Sequence, residues 1–281
     1  MVIDPLSSLL ARFNVEAGTF FSGALCGITR FGEDGEESGH IHLLRQGRLK
    51  LFLADGSATV VDAPSLMCFP RVSPHRFEIE DGAEAQLTCA SVRFEGGAQN
   101  PVAQAMPEVL ILPLPELGMA QPMLEWLFAE AVEQDSGRMA VLNRLFELLM
   151  IQLLRHLLRT GRADRGMLAG LADVRLARVL DAIHAHPDMA WTLESMAETC
   201  GMSRARFAAH FKQVVAATPL DYLTHWRLTL AQQLLKADRP IKLVANEVGY
   251  ESPSALARAF RRKLGVSPGE WLRAHRTSVR P

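Results

Sequence analysis

Two spacings of apolar residues divide the chain. Between residues 40 and 96 short apolar runs alternate with turn residues: HIHLLRQG, RLKLFLADGS, ATVVDAP, SLMCFPRVSP, HRFEIEDG and AQLTCASVRFEGG. Phe77 and Ile79, and then Leu87, Cys89 and Ser91, keep a period of two, which places alternate side chains on opposite faces of a strand. Asp55-Gly56 and Asp81-Gly82 are hairpin signals, because glycine takes the positive φ that tight turns need. Six strands at such short intervals predict a sandwich or small barrel over residues 1–115. The segment PEVLILPLPEL follows; its three prolines lack the N–H of a central strand and suit an extended edge or a linker.

The period then changes. Leu142, Leu145, Phe146, Leu149, Leu153 and Leu157 recur at helical spacing, and Met123, Trp126 and Leu127 predict a shorter helix before them. This helical pair either packs on its own domain or joins two subunits. The stretch GRADRGMLAGLADV is Gly-rich and short of large apolar residues, and reads as a linker. Beyond it, helices are expected near 173–186, 193–200, 204–215, 220–236, 241–248, 253–264 and 268–275, separated by Pro187, Gly201, Pro219, Pro240, Gly249, Gly265 and Pro268.

Composition narrows the class. The 281 residues are 48% hydrophobic and 22% charged, which excludes a disordered or collagen-like chain. No uninterrupted apolar stretch is long enough for a membrane span, the start shows no secretory signal, and the four cysteines (Cys26, Cys68, Cys89, Cys200) stand at irregular spacing. A cytoplasmic protein with reduced thiols and no membrane partner is expected. The net charge of −1 conceals an asymmetry: residues 1–170 hold 14 Lys+Arg against 21 Asp+Glu, and residues 171–281 hold 16 against 10. One half is suited to a polyanion and the other is not.

Within the basic half one pattern occurs twice, as LESMAETCGMSRARFAAHFKQVVAATPLDYL and IKLVANEVGYESPSALARAFRRKLGVSPGEWL. Ala197 aligns with Ala245, Gly201 with Gly249, Phe211 with Phe260 and Pro219 with Pro268; Ser203 aligns with Ser252 one residue out of register. Each copy is a short helix, a glycine turn and a longer helix opened by Ser, the order of a helix-turn-helix, with units at about 193–215 and 241–264. Ser203 and Ser252 are expected to cap the second helices. The free faces offer Arg204, Arg206, His210 and Lys212 in one copy, and Ser254, Arg258, Arg261, Arg262 and Lys263 in the other. A helix fits the major groove, where Arg binds guanine with two hydrogen bonds, and cationic side chains neutralise phosphates. The helix over 220–236 is about 25 Å long and could hold the two recognition helices one DNA turn apart.

These residues resemble the AraC/XylS family of bacterial transcription regulators. The matches are Ala197, Gly-Met-Ser 201–203, Phe211, Thr-Pro 218–219, Tyr222, Arg-Leu 227–228, Ala231, Leu-Leu 234–235, Ala245, Val-Gly-Tyr 248–250, Phe260, Gly265, Pro268 and Trp271. The resemblance implies two helix-turn-helix units on promoter double-stranded DNA, a homodimer, and RNA polymerase as a partner if the protein activates. The family's base-facing positions map to Ala205, Ala208 and Ala209 in the first unit, and to Pro253, Ser254, Ala255 and Arg258 in the second. Three alanines cannot donate hydrogen bonds, so base discrimination leans on Arg206 and on the second unit.

The first half resembles the family's cupin-type sensor through residues 42–47, 69–75 and 87–90. The expected fold is therefore α+β and multidomain: a cupin-like β-barrel sensor at 1–118, a helical connector and dimerisation segment at 119–162, and an all-α DNA-binding domain at 171–281. The expected function is promoter binding controlled by a small molecule or a redox signal. His40 and His42 share a strand face, and the resemblance puts His75 where enzymatic cupins carry a metal histidine. The acidic ligand of such cupins is missing, with His40 roughly in its place. His40, His42 and His75 are thus a candidate metal set, or else structural or ligand-contacting residues. Cys26 and Cys89 resemble cysteines of a redox-responsive branch of this sensor class; the other reading makes them buried small hydrophobes. No cofactor is expected. No catalytic sequence motif is present; the enzymatic alternative is a metal-dependent cupin enzyme fused to a DNA-binding domain.

Overall fold

The computed structural model describes residues 4–32, 38–95, 97, 100–163 and 165–277. They form two compact units, one within residues 13–160 and the other of residues 4–12 together with those described from 161 to 277. The first described helix, α1 (Pro5–Arg12), belongs to the second of these.

The first unit is built on nine strands: β1 (Val15–Leu25), β2 (Ile28–Phe31), β3 (Gly39–Gln46), β4 (Arg48–Leu53), β5 (Ala58–Asp62), β6 (Ser65–Phe69), β7 (His75–Glu78), β8 (Ala85–Phe94) and β9 (Leu110–Pro113). They pair antiparallel in two sheets, in the orders β1-β8-β3-β6-β9 and β2-β7-β4-β5. The inner faces meet in one core holding Leu44, Leu49, Leu51, Val61, Met67, Phe69, Phe77 and Leu87. Among the described residues the ladders form these two sheets and do not close into a ring. Six consecutive residues of β3 and all five of β6 are buried, as expected for strands covered on both faces. The hairpin glycines behave as read: Gly56 (φ 83°) and Gly82 (φ 80°) take the left-handed conformation. The proline-rich β9 is an edge strand, paired with β6 alone.

Helices α2 (Pro101–Ala105), α3 (Gln121–Val132) and α4 (Arg138–Thr160) complete this unit. Buried Asn100 caps α2, its Oδ1 accepting from the N–H groups of Val102 and Ala103. The leucine stripe of α4 is buried throughout, and the helix packs on β1, where the Thr19 N–H donates to Asn143 Oδ1 at 2.8 Å. The pair α3–α4 therefore packs on its own domain.

The second unit contains α5 (Met167–Ala172), α6 (Leu176–Ala185), α7 (Leu193–Thr199), α8 (Arg204–Val215), α9 (Pro219–Lys236), α10 (Ile241–Glu247), α11 (Pro253–Leu264) and α12 (Pro268–Thr277). Two segments depart from the sequence reading. The expected linker contains α5, whose Met167, Leu168 and Leu171 are buried; three apolar residues on one short turn of helix suffice to dock it against α6 and α8. The start of the chain, read as part of the β-rich domain, folds with the helices instead. Leu6 and Leu9 of α1 are buried, α1 packs on α6, and Gln233 Nε2 donates to the Arg12 carbonyl at 2.9 Å. No described helix is long and apolar enough to cross a membrane.

Phe146 of α4 is fully buried. Phe146→Ala is expected to destabilise the β-rich unit by about 3–5 kcal/mol, read as a lower urea midpoint for that unit's transition with the helical unit's transition unmoved.

Candidate functional site

The repeat seen in the sequence is also a repeat of hydrogen bonds. After α7, the Gly201 N–H donates to the Glu198 carbonyl and the Met202 N–H to the Ala197 carbonyl. After α10, the Gly249 N–H donates to Asn246 and the Tyr250 N–H to Ala245, at the same offsets. Both glycines have positive φ, 62° and 82°. They differ in surroundings. A Cβ on Gly201 would meet nothing within 4 Å, whereas one on Gly249 would lie 2.6 Å from the Arg227 guanidinium and 2.7 Å from the Pro187 carbonyl oxygen.

The second helices α8 and α11 each run for 12 residues. Each ends on a left-handed residue, Ala216 or Gly265, whose N–H bonds back four residues. Their starts differ. Ser252 Oγ accepts from the Ala255 N–H at 3.2 Å, as expected of a cap. Ser203 occupies the N-cap position of α8, but its side chain makes no cap hydrogen bond, which corrects the sequence expectation. Arg204, the next residue, pairs with Glu194 of α7 at 2.6 Å.

Burial separates the faces of both helices. Phe207, Phe211 and Val215 of α8 are buried, as are Leu256, Ala259 and Phe260 of α11. The opposite faces carry the residues singled out for DNA. Ser203, Arg204, Ala205, Arg206, Ala209 and Lys212 are exposed, and Ala208 is half-buried. Ser254, Arg258, Arg261 and Arg262 are exposed, and Ser252, Pro253 and Ala255 are half-buried. Arg206, Lys212 and Arg258 have no ion pair among the described residues. Two other side chains are engaged within the unit: His210 contacts Asp173 at 2.8 Å, and Lys263 pairs with Asp221 at 2.7 Å.

Helix α9 joins the two motifs. Its 18 residues span about 27 Å. Thr218 caps it, accepting from the Asp221 N–H. Asp221, in its first turn, is also the residue that holds Lys263 at the end of α11, so one end of α9 fixes both motifs. Arg227 is the functional-site support that sequence reasoning named without a role. Its Nε donates to the Pro187 carbonyl and its Nη2 to the Met189 carbonyl, both at 2.7 Å, and its guanidinium lies over the Tyr250 ring at 5.6 Å. It thus ties the segment ahead of α7 to the turn of the second motif.

In the β-rich unit the structure brings His40, His42 and His75 together. One ring nitrogen from each lies within 4.8 Å of the others, and all three residues are buried. His40 and His42 come from β3 and His75 from the start of β7 in the other sheet. Phe31 of β2 lies 4.6 Å from His42 between ring centroids, and Phe20 of β1 lies 5.4 Å from His40. Both strands had gone unread, so these neighbours were missed. His75 also lines an open cleft of about 340 Å³ with Arg30, Phe31, Phe52, Pro74 and Arg76.

Cys26 and Cys89 are not brought together. Cys89 is opposite Phe21 in the β1–β8 register, and Cys26 lies five residues beyond Phe21. At the rise of a strand that is about 17 Å, against a Cα separation of under about 7 Å for a disulfide. Cys89 is buried, which pushes its thiol pKa up, and Cys26 is exposed. Burial likewise lifts Cys68 to about 12 and Cys200 to about 11.

The comparisons divide the chain into the same two halves, except that the Cupin match takes in α1. The Cupin family matches residues 4–159 and the helix-turn-helix domain family matches residues 196–274. A putative AraC-like transcription regulator of Streptomyces antibioticus is 33% identical over 83% of this chain and 78% of its own length. A putative AraC-like transcription regulator of Streptomyces lividans is 30% identical over 95% of this chain and 90% of its own. The crystallised DNA-binding domain of AdpA, a global transcriptional factor in complex with a target DNA, is 33% identical over 38% of this chain and 97% of its own, with a TM-score of 0.36.

The two glycines yield a paired expectation. Gly201→Ala should destabilise the helical unit by about 1–2 kcal/mol, the cost of a left-handed alanine. Gly249→Ala should cost more, because the added carbon also displaces Arg227; urea midpoints of the two variants measure the difference.

Proposed function

The chain belongs to the AraC family of transcriptional regulators, and from that premise we propose that its β-rich unit senses a small molecule or an oxidant and so controls how two helix-turn-helix motifs occupy promoter DNA. The observation that carries the DNA-binding part is the segregation of α8 and α11. Each buries a phenylalanine-containing face in the unit and turns exposed cations outward, Arg206 and Lys212 on one and Arg258, Arg261 and Arg262 on the other. Arg258 reads a base edge, and the alanines of α8 allow close approach to the groove or touch thymine methyl groups. Arg206 carries base discrimination in the first unit, and Lys212, Arg261 and Arg262 neutralise phosphates. Arg204 reaches phosphate by exchanging its exposed pairing with Glu194, an exchange that costs little in water.

Residues 13–118 sense, residues 119–162 pair two subunits, and residues 171–281 bind DNA. Pairing is supported by large apolar side chains left in solvent on α3 and α4, among them Trp126 (55% exposed) and Val132 (69%). The cleft beside His75, with Phe52 and the guanidinium groups of Arg30 and Arg76, is the entry for the effector. The effector shifts the placement of the two subunits, so that paired DNA-binding units fit their half-sites better or worse. The protein works in the cytoplasm, with RNA polymerase as a further partner when it activates, and without catalytic turnover.

Footprinting on the DNA upstream of its own gene tests the reading. Protection of successive major grooves is expected; equal affinity for all sequences would overturn sequence-specific control. Arg258→Ala should weaken operator binding by about 1–3 kcal/mol and relax preference at one base pair, as measured by anisotropy on a set of single-base operator variants. Lys212→Ala should weaken all sequences alike and lower the slope of log affinity against log salt by about 1.

A further inference from the structure

DNA recognition makes no use of the outer face of strands β2, β7 and β4. Arg30 of β2 stands opposite Arg76 of β7, and Arg76 stands opposite Phe52 of β4, so the three form one row across the sheet. The neighbouring row, Phe31, His75 and Leu53, closes these strands and belongs to the inner face. Both rows line the open cleft of about 340 Å³. The cleft thus sits at the end of the sheet, with two guanidinium groups on its outer side and Phe31 and Leu53 on its inner side.

The charge of the outer row is unbalanced. Like charges directly opposite each other in an antiparallel pair repel. No Asp or Glu is among the described residues that line the cleft. The acid in its turn, Asp55, is occupied, accepting from the Ser57 N–H at 2.8 Å. Arg30 is exposed and makes no ion pair among the described residues. Arg76 lies 4.1 Å over the Phe52 ring and reaches Glu78 only at 3.8 Å, beyond hydrogen-bond distance. Glu78 also stands opposite Lys50, which shares its charge. Nε of Arg76 is buried and has no hydrogen-bond partner. That donor has lost water without a replacement, a cost that an incoming acceptor removes. General basicity does not explain the row, because residues 1–170 hold 14 Lys+Arg against 21 Asp+Glu.

We propose that this cleft binds a small organic carboxylate with an apolar body, its carboxylate held between Arg30 and Arg76 and its body against Phe31 and Leu53. The inference rests on the reading of the cleft as the effector's way in, and adds the effector's chemical class. A carboxylate accepts paired hydrogen bonds from a guanidinium fork, offsets the repulsion across the row and supplies the acceptor that Arg76 Nε lacks. A neutral ligand leaves both guanidinium groups uncompensated, and a cation adds a third positive charge. Inorganic phosphate meets the same two groups but leaves the apolar side unfilled. The cleft volume is at the lower end of the range for ligand pockets, which suits a body of one ring or a short chain.

The test is calorimetric titration of the full chain with 3-phenylpropionate, its amide 3-phenylpropionamide, acetate and inorganic phosphate. One 3-phenylpropionate per chain is expected, with a Kd below about 1 mM, and the other three probes should bind at least about tenfold more weakly. Arg30→Gln and Arg76→Gln should each weaken 3-phenylpropionate by about tenfold or more. Arg48→Gln, at the other end of β4 and paired with Asp62, should leave it unchanged. No saturation by about 1 mM overturns the proposal. So does an amide or phosphate that binds as tightly as the acid, or an unchanged affinity in Arg30→Gln. Arg30 is exposed, so its variant still decides if Arg76→Gln fails to fold. Promoter binding on the same samples, with and without 3-phenylpropionate, separates the two readings. Promoter binding without carboxylate binding sinks the present inference and leaves the regulatory one standing. Carboxylate binding that leaves promoter occupancy unmoved supports the site and counts against control through it.

Discussion

Helix α9 must be buried on several sides at once, and the helical unit follows from that constraint. Leu223, Trp226 and Leu230 are buried along one stripe, and Leu228, Ala231 and Leu235 along another. A helix apolar around so much of its circumference needs neighbours on more than one side. It has α7 and α8 on the first motif, and α10, α11 and α12 on the second. Neither motif is large enough to enclose a core of its own, so each completes its core on α9. Arg227 adds a polar constraint. Its guanidinium is partly withdrawn from water, and the carbonyls of Pro187 and Met189 replace the lost hydration. The spacing of the two recognition helices is thereby set by packing.

The two recognition surfaces share a frame and differ in chemistry. The turn bonds repeat at the same offsets, yet α8 shows alanines where α11 shows Ser254 and Arg258. Several cations are already paired inside the unit, such as Arg204 with Glu194 and Lys263 with Asp221. Charge counted from the sequence overstates what is free to meet a phosphate. His210 on the α8 surface is likewise engaged, with Asp173.

The sensor half is an apolar double sheet with a polar inclusion. Three buried imidazoles lie among four phenylalanine rings, and burial holds the pKa of His42 and of His75 below the usual histidine range. The thiols follow the same rule. Cys89, opposite His42 in the β3–β8 register, is protonated by burial and separated by strand length from Cys26. Alternation along a strand showed that His40 and His42 share a face; it carried no information about which strand would stand across from them.

The sequence by itself determined the local elements with strong periodicity and the repeated motif. Strands β7 and β8 follow from period two, β3 to β6 from short apolar runs between turn residues, helices α8 and α11 from helical spacing, and the glycine turns at 201 and 249 from glycine's access to positive φ. It left β1 and β2 unread, because β1 is broken by Gly18 and Gly23 and shows no clean alternation, and β2 exposes Ile28. It left α1 and α5 unread because six or eight residues are too few for a period to declare itself. Only the tertiary structure decided where α1 docks, that Ser203 makes no cap bond while Ser252 does, that Cys26 and Cys89 lie far apart, and that His75 meets His42. Those outcomes depend on strand register and on which surfaces lie opposite one another. Such contacts join residues distant in the chain, and spacing along the chain cannot encode them.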